Sequence, residues 1–278
     1  MKTLIFADVH ANLAALDAVL AHESTWDEIF FLGDAIMAGP RPEEVVQRLS
    51  SLENGVWILG NHDLEPFERT FDDGDINPDQ MYEKWTRNQL TDDSRQFLES
   101  FETTRVVERQ GLVMRLYHGH FPEPVGRMDL PDPDHKVLEL FVRAYRRFFH
   151  PEWENRIWPD TDPRVFAAIS DAFPEPYVLI AHSHVQFRKQ IGETVFVNPG
   201  SVGQPRLGQA LASYAVLEDG TIDLRAVPYD TEATCRALDR VPLPSDFIQT
   251  WKAGYRAGRL PDRYPIRDWE PLIREGYR

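Results

Sequence analysis

Short apolar runs alternate along this chain with segments whose apolar positions recur at helical spacing. Residues 2–7 read as a strand, and 12–22 as a helix with Leu13, Leu16, Val19 and Leu20 on one face. Residues 28–32 predict a second strand, 42–52 a helix and 56–59 a third strand. Pro42 opens the second helix, where a missing amide proton costs least. This β-α-β-α-β series implies parallel strands joined by crossover helices. Helices are then expected at 81–88 and 92–101, with Thr91 or Asp92 as a cap. Residues 105–109 and 112–117 predict a hairpin around Gln110-Gly111 that delivers His118 at its end. Further strands fall at 177–181, 186–191 and 195–198, and a hairpin joins 211–217 to 222–227 through Glu218-Asp219-Gly220. Two β-rich layers packed together, with helices outside, are the expected core.

Two segments read as additions. Residues 122–162 are rich in Pro and Asp and carry one basic-aromatic helical run at 141–149. Residues 229–278 form a helical C-terminal extension expected to pack on the same domain, through 231–238 and 245–256, and end in an aromatic, basic tail. The expected organisation is one α/β domain over 1–228, with its insertion at 122–162, followed by this extension.

Composition narrows the function. A chain of 278 residues with 42% hydrophobic content has enough apolar material for one large core. A formal charge of −15 argues against broad, sequence-independent binding to duplex nucleic acid or anionic membranes, although bound cations can still invert the local field for a phosphate. Asp8 and His10 break the N-terminal apolar run too early for a signal peptide, and no stretch has membrane-spanning length. A cytoplasmic location is the expectation. Cys235 stands alone, so no intramolecular disulfide forms.

The candidate chemistry lies where strands end. Asp8-Val9-His10, Gly33-Asp34, Gly60-Asn61-His62-Asp63, His118-Gly119-His120 and His182-Ser183-His184 each follow a predicted strand. A parallel sheet gathers the carboxyl ends of its strands along one edge, where distant ligands meet. Asp8 and His10, one residue apart in an extended chain, are expected to point to one side. Asp34 offers a carboxylate able to bridge two cations, Asn61 a carbonyl oxygen, and His118, His182 and His184 imidazole nitrogens. Taken singly, each cluster has an ordinary alternative: a strand-end turn, a turn dipeptide, a pair of surface histidines. Their recurrence in one order at strand ends favours a nest for two divalent cations, an arrangement suited to phosphoryl chemistry.

That order resembles the calcineurin-like metallophosphoesterases. The continuation Asn198-Pro199-Gly200-Ser201-Val202-Gly203-Gln204-Pro205-Arg206 looks like the small prokaryotic phosphodiesterase branch. The resemblance covers about residues 1–228 and implies a four-layer α/β/β/α sandwich. It implies that Asp8, His10, Asp34 and His184 hold one metal, and that Asp34, Asn61, His118 and His182 hold the other, with Asp34 bridging. A metal-bridging hydroxide would attack a phosphodiester in line, or alternatively a phosphomonoester or dinucleotide polyphosphate. His62 would stabilise the transition state or protonate the leaving oxygen, with Asp63 orienting its imidazole. Asn61 would also lie beside the substrate. The family usually has Gly where Ala11 and Ala181 stand, and both exchanges are expected to be accepted at negative φ. An acidic residue often follows the Pro-Arg pair in relatives, where Leu207 stands here.

Outside this set, His120 reads as a phosphate or leaving-group contact or as a solvated loop histidine. Arg206 would clamp a phosphate oxygen through its planar fork, or pair with a surface carboxylate. His22, His135 and His150 read as structural or surface residues. Arg143, Arg146 and Arg147 sit in the 141–149 run, a lid for an anionic substrate or, more simply, the polar side of a helix packing its aromatics on the core. Two other functions compete: a non-catalytic scaffold of the same fold, against which the intact His62 speaks, and a phosphoprotein phosphatase, against which Leu64-Glu65 speaks. The donor set leaves Mn²⁺, Fe²⁺, Ni²⁺ and Zn²⁺ open, and the sequence leaves homodimerisation open.

Overall fold

The computed structural model describes residues 1–71, 76–119, 156–161 and 163–259. Two five-stranded sheets stack face to face. The first has the order β10-β9-β1-β2-β3, where β1 is Lys2–Phe6, β2 Glu28–Phe31, β3 Gly55–Trp57, β9 Leu211–Glu218 and β10 Thr221–Pro228. The second has the order β4-β5-β6-β8-β7, from β4 Thr104–Arg109, β5 Leu112–Tyr117, β6 Tyr177–Leu179, β7 Phe187–Ile191 and β8 Thr194–Asn198. β1, β2 and β3 run parallel, as the crossover pattern requires, and so do β5, β6 and β8. Antiparallel partners complete both sheets: β9 against β1, β10 against β9, β4 against β5 and β7 against β8. Each sheet is therefore mixed.

Period-two alternation decides the layers. Ile5 and Ala7 point into the space between the sheets, where they meet Phe30, Leu32, Met114, Leu116, Leu179 and Val197. Leu4 and Phe6 point the other way, onto α1 (Leu13–Glu23) and α2 (Pro42–Ser50) through Leu16, Val19, Val45 and Leu49. On the far side of the second sheet, Phe187 and Phe196 pack under α6 (Pro163–Ala172) with Phe166 and Ile169. The result is the α/β/β/α sandwich.

The remaining helices pack around this sandwich. These are α3 (Asn61–Glu68), α4 (Pro78–Gln89), α5 (Asp92–Glu99), α7 (Thr231–Leu238) and α8 (Ser245–Ala257). Helix α5 joins the core of α1 and α2 through Leu98. Helices α7 and α8 share a core with α4, built from Tyr82, Cys235, Leu238, Phe247, Ile248, Trp251 and Tyr255. Periodicity did not predict α3 or α6. The eight residues of α3 include Pro66, so its apolar pattern is short and interrupted. The expected helix at 141–149, most of the 122–162 insertion and the tail beyond 259 lie outside the described residues. No helix among the described residues is long and apolar enough to cross a membrane.

Candidate metal centre

Every candidate donor lies just beyond a strand, on the loop that leaves it or, for Asn61, at the first residue of α3. Hydrogen bonds between these loops set their spacing: Asp8 N donates to Gly33 O at 2.9 Å, His10 N to Asp34 O at 3.0 Å, and Ala181 N to His118 O at 2.8 Å. The sequence between Asn198 and Arg206 joins the two sheets at this edge. Asn198 Nδ2 donates to Ala181 O at 3.0 Å on one side. On the other, Ser201 Oγ donates to Asp8 O at 2.8 Å and Gly203 N to the same carbonyl at 3.0 Å.

Two donor groups result, and they share Asp34. Asp8, His10, Asp34 and His184 present ligand atoms within 4.8 Å of one another, as do Asp34, His118 and His182. In the first group His10 Nε2 and His184 Nε2 stand 3.0 Å apart, with Asp8 Oδ1 3.4 Å from the latter and Asp34 Oδ2 3.6 Å from the former. In the second, His118 Nε2 is 3.5 Å from Asp34 Oδ2 and 3.2 Å from Asn61 Oδ1, so Asn61 belongs there too.

The chemistry of these donors fits divalent cations. His118 Nδ1 donates to Leu32 O at 2.6 Å and His184 Nδ1 to Gln204 O at 2.9 Å. Each bond leaves Nε2 as the lone-pair nitrogen facing the cluster, which is the tautomer a ligating imidazole needs. Both carboxylate oxygens of Asp8 and Oδ2 of Asp34 are buried and accept no hydrogen bond among the described residues. Unsatisfied buried carboxylate oxygens are costly unless a cation or a proton meets them.

Charge at the centre is set mainly by burial. Burial raises the Asp8 carboxyl to about 7 and lowers the His10 imidazole to about 3. Burial, followed by Arg206, holds His184 well below its ordinary value. Asp34 differs: burial opposes its charge, yet the neighbouring His118, His62 and His10 rings outweigh it and hold the carboxyl low. His118 is the counterpart, with Asp34 overcoming burial to raise it to about 9. A cation entering here displaces protons, so retention is coupled to pH.

Three expectations need correction. Asp8 and His10 are not extended but hold φ of 53° and 47°, so a turn, and not strand alternation, aims both side chains inward. Ala11 sits at φ 51°, not at negative φ, because the turn continues through it; Ala181 does keep negative φ. Asp63 does not touch the His62 ring. Its carboxylate accepts from the amides of Gly60 at 2.8 Å, Asp34 at 3.0 Å and Ala35 at 2.7 Å, pinning Asp34, which the two donor groups share, to the start of α3. The partner of His62 Nδ1 is Glu65 Oε2 at 2.7 Å. On a helix, positions three apart share a face while the next residue points about a quarter-turn away, which is why Glu65 takes the role expected of Asp63. Glu65 Oε1 accepts in turn from Arg69 at 3.1 Å, and Arg69 donates to Glu83 at 2.7 Å. A sequence signal for Glu65 existed in its three-residue offset from His62, but it required knowing that α3 begins at Asn61.

A cavity of about 250 Å³ opens beside the first donor group, bordered by His10, His184, His62, Glu65, Arg206 and Arg156. Arg206 is 7% exposed and borders this cavity. Arg156 was not foreseen as a site residue. His120 lies outside the described residues.

Residues 1–221 match the calcineurin-like phosphoesterase superfamily domain. The chain belongs to that superfamily. As a member it is a phosphoric ester hydrolase, and its buried Asp and His residues form clusters able to hold a metal ion. A metallophosphoesterase from Sphaerobacter thermophilus superposes with a TM-score of 0.70 at 28% identity, covering 91% of this chain and 99% of that one. An uncharacterized protein of Methanocaldococcus jannaschii is 25% identical over 86% of this chain and 93% of its own length. A symmetrical bis(5'-nucleosyl)-tetraphosphatase of Coxiella burnetii is 38% identical over 66 residues, which is 23% of either protein.

Proposed function

We propose that this phosphoesterase is a dinuclear enzyme that hydrolyses a small phosphodiester, or alternatively a phosphomonoester or dinucleotide polyphosphate. The observation that carries the reading is Asp34, one buried carboxylate common to both donor groups. Asp8, His10, Asp34 and His184 would hold one cation, and Asp34, Asn61, His118 and His182 the other. When bound, two such cations supply charge to phosphate oxygens and make water acidic enough to act as a nucleophile near neutral pH.

The chain's own groups supply the rest. Arg206 and Arg156 border the cavity beside His10 and His184 and offer guanidinium donors to the remaining phosphate oxygens. Burial opposes charge on His62, but Asp34 and Glu65 outweigh it and raise the imidazole above its ordinary value, so the ring carries a proton on each nitrogen: Nδ1–H bonds Glu65, and Nε2–H would go to the departing oxygen. The Glu65, Arg69 and Glu83 chain fixes that ring, and Asp63 keeps α3 registered against Asp34.

Protein loaded with Mn²⁺ should turn over a bis-aryl phosphodiester. His62→Ala should lower kcat by roughly 10²–10⁴-fold while metal content, read by elemental analysis, stays unchanged. Equal kcat in the variant would remove His62 from the mechanism, and inert metal-loaded protein on mono-, di- and polyphosphate esters would remove the reading itself.

A further inference from the structure

One face of α4 forms a wall of the same cavity through Asp79, Tyr82 and Glu83, which share a side of the helix at offsets of three and four residues. Tyr82 is 2% exposed, and its hydroxyl has no hydrogen-bond partner among the described residues. Glu83 is 5% exposed; its Oε1 accepts from Arg69, while Oε2 has no such partner. A buried hydroxyl and a buried carboxylate oxygen left unmet cost on the order of 1–3 kcal/mol each. Placing both on a cavity wall ties their satisfaction to whatever fills the cavity.

The polarity of the cavity says what that is. Arg206, His10 and His184 border it with cationic and metal-binding groups, whereas α4 contributes carboxylates and a hydroxyl, which accept hydrogen bonds. The acceptor wall is linked to His62 through Glu65 and Arg69, so it stands on the side where the departing oxygen takes its proton. Trp251 of α8 borders the same space, edge-on to Tyr82 with ring centroids 6.4 Å apart. At about 250 Å³ the cavity falls below the usual ~300–1,000 Å³ of drug-sized sites, which favours a small ligand.

We infer that the α4 face is a leaving-group subsite, selecting a phosphoester whose leaving group carries hydrogen-bond donors, hydroxyl or ammonium, over a plain alkyl or aryl one. This assignment rests on the phosphoester reading above. Calorimetry on Mn²⁺-loaded protein tests it with three phosphonates that cannot turn over: aminoethylphosphonate, dihydroxypropylphosphonate and propylphosphonate. At least one donor-bearing tail should bind about tenfold or more tighter than the propyl tail. Which tail holds the advantage distinguishes an ammonium from a polyol. Tyr82→Phe should shrink that advantage severalfold, and Glu83→Gln should do the same. If Glu83→Gln fails to fold because Arg69 loses its partner, Tyr82→Phe alone decides. Equal affinity for the three tails, no binding of any, or an advantage untouched by the substitutions overturns the subsite. A binding advantage without turnover of any ester sinks the hydrolase reading alone; turnover without a binding advantage sinks only the subsite.

Discussion

A residue other than glycine held at positive φ costs on the order of 1 kcal/mol or more, and Asp8, His10, Asp34, His182 and His184 all adopt it. The strain falls on the donor residues themselves and persists because the inter-loop hydrogen bonds over-determine the backbone. Ala11 shares that conformation without offering a donor atom. Ala11→Gly should therefore change stability by less than about 1 kcal/mol, since relief of strain offsets the lost methyl and the added chain entropy. Ala15→Gly, buried in the first turn of α1, lacks that relief and should cost about 1–2 kcal/mol; denaturant titration of both variants checks the contrast. Glu65 acts through another residue's ring. Glu65→Gln keeps the size but weakens the bond to His62 Nδ1, and should lower kcat about 10–100-fold with KM little changed, as steady-state kinetics will show.

Among elements, the loop from Asn198 to Arg206 does more than its sequence indicates. It hydrogen-bonds one sheet's 181–183 turn through Asn198 and the other sheet's Asp8 turn through Ser201 and Gly203. Gly203 permits the contact, because a Cβ there would lie 1.7 Å from the carbonyl oxygen of Val9. Gly203→Ala must push the two turns apart. It should cost roughly 1–3 kcal/mol or more in thermal or denaturant unfolding and loosen metal retention measured after dialysis. The C-terminal helices matter at the same scale: α8 closes one side of the cavity with Trp251, and the Tyr255 hydroxyl donates to Ala38 O at 2.6 Å, bracing the 36–40 loop that also borders it.

For the molecule as a whole, two linked equilibria govern stability. Glu23 is buried beneath Lys2, Tyr214 and Arg225. Burial opposes its charge, but hydrogen bonds from those three groups prevail and hold the carboxyl at about 2, below its ordinary 4.5. A depressed carboxyl stabilises the fold above its unfolded value and loses that contribution as pH falls. The wild type should thus lose about 1–3 kcal/mol relative to Glu23→Gln between pH 4.5 and 2, a range discounted because Lys2 and Arg225 reach solvent. Paired melting curves across that window test it. Cation binding is the second equilibrium: chelation should lower Tm by roughly 5–10 °C, the shift expected for a ligand in about hundredfold excess over its Kd, and Mn²⁺ should restore it.

The chain's own pattern determined the strands, most helices and which Asp and His residues gather in the buried clusters. Period-two and period-3.6 spacing are local properties, and crossover connections force the ends of parallel strands to one edge, so Asp8, Asp34 and Asn61, after β1, β2 and β3, could be placed together from their order alone. Only the tertiary structure decided how those residues are aimed. The positive φ at Asp8 and His10, the pairing of His62 with Glu65 and not with Asp63, and the bond from Asn12 Nδ2 to Gly203 O, 191 positions away, depend on loops meeting across the fold. The cavity likewise arises where α4 and α8 meet the strand ends, a contact between segments that share no local spacing. Local periodicity can say which face of an element is buried; it carries no information about which distant loop will press against it.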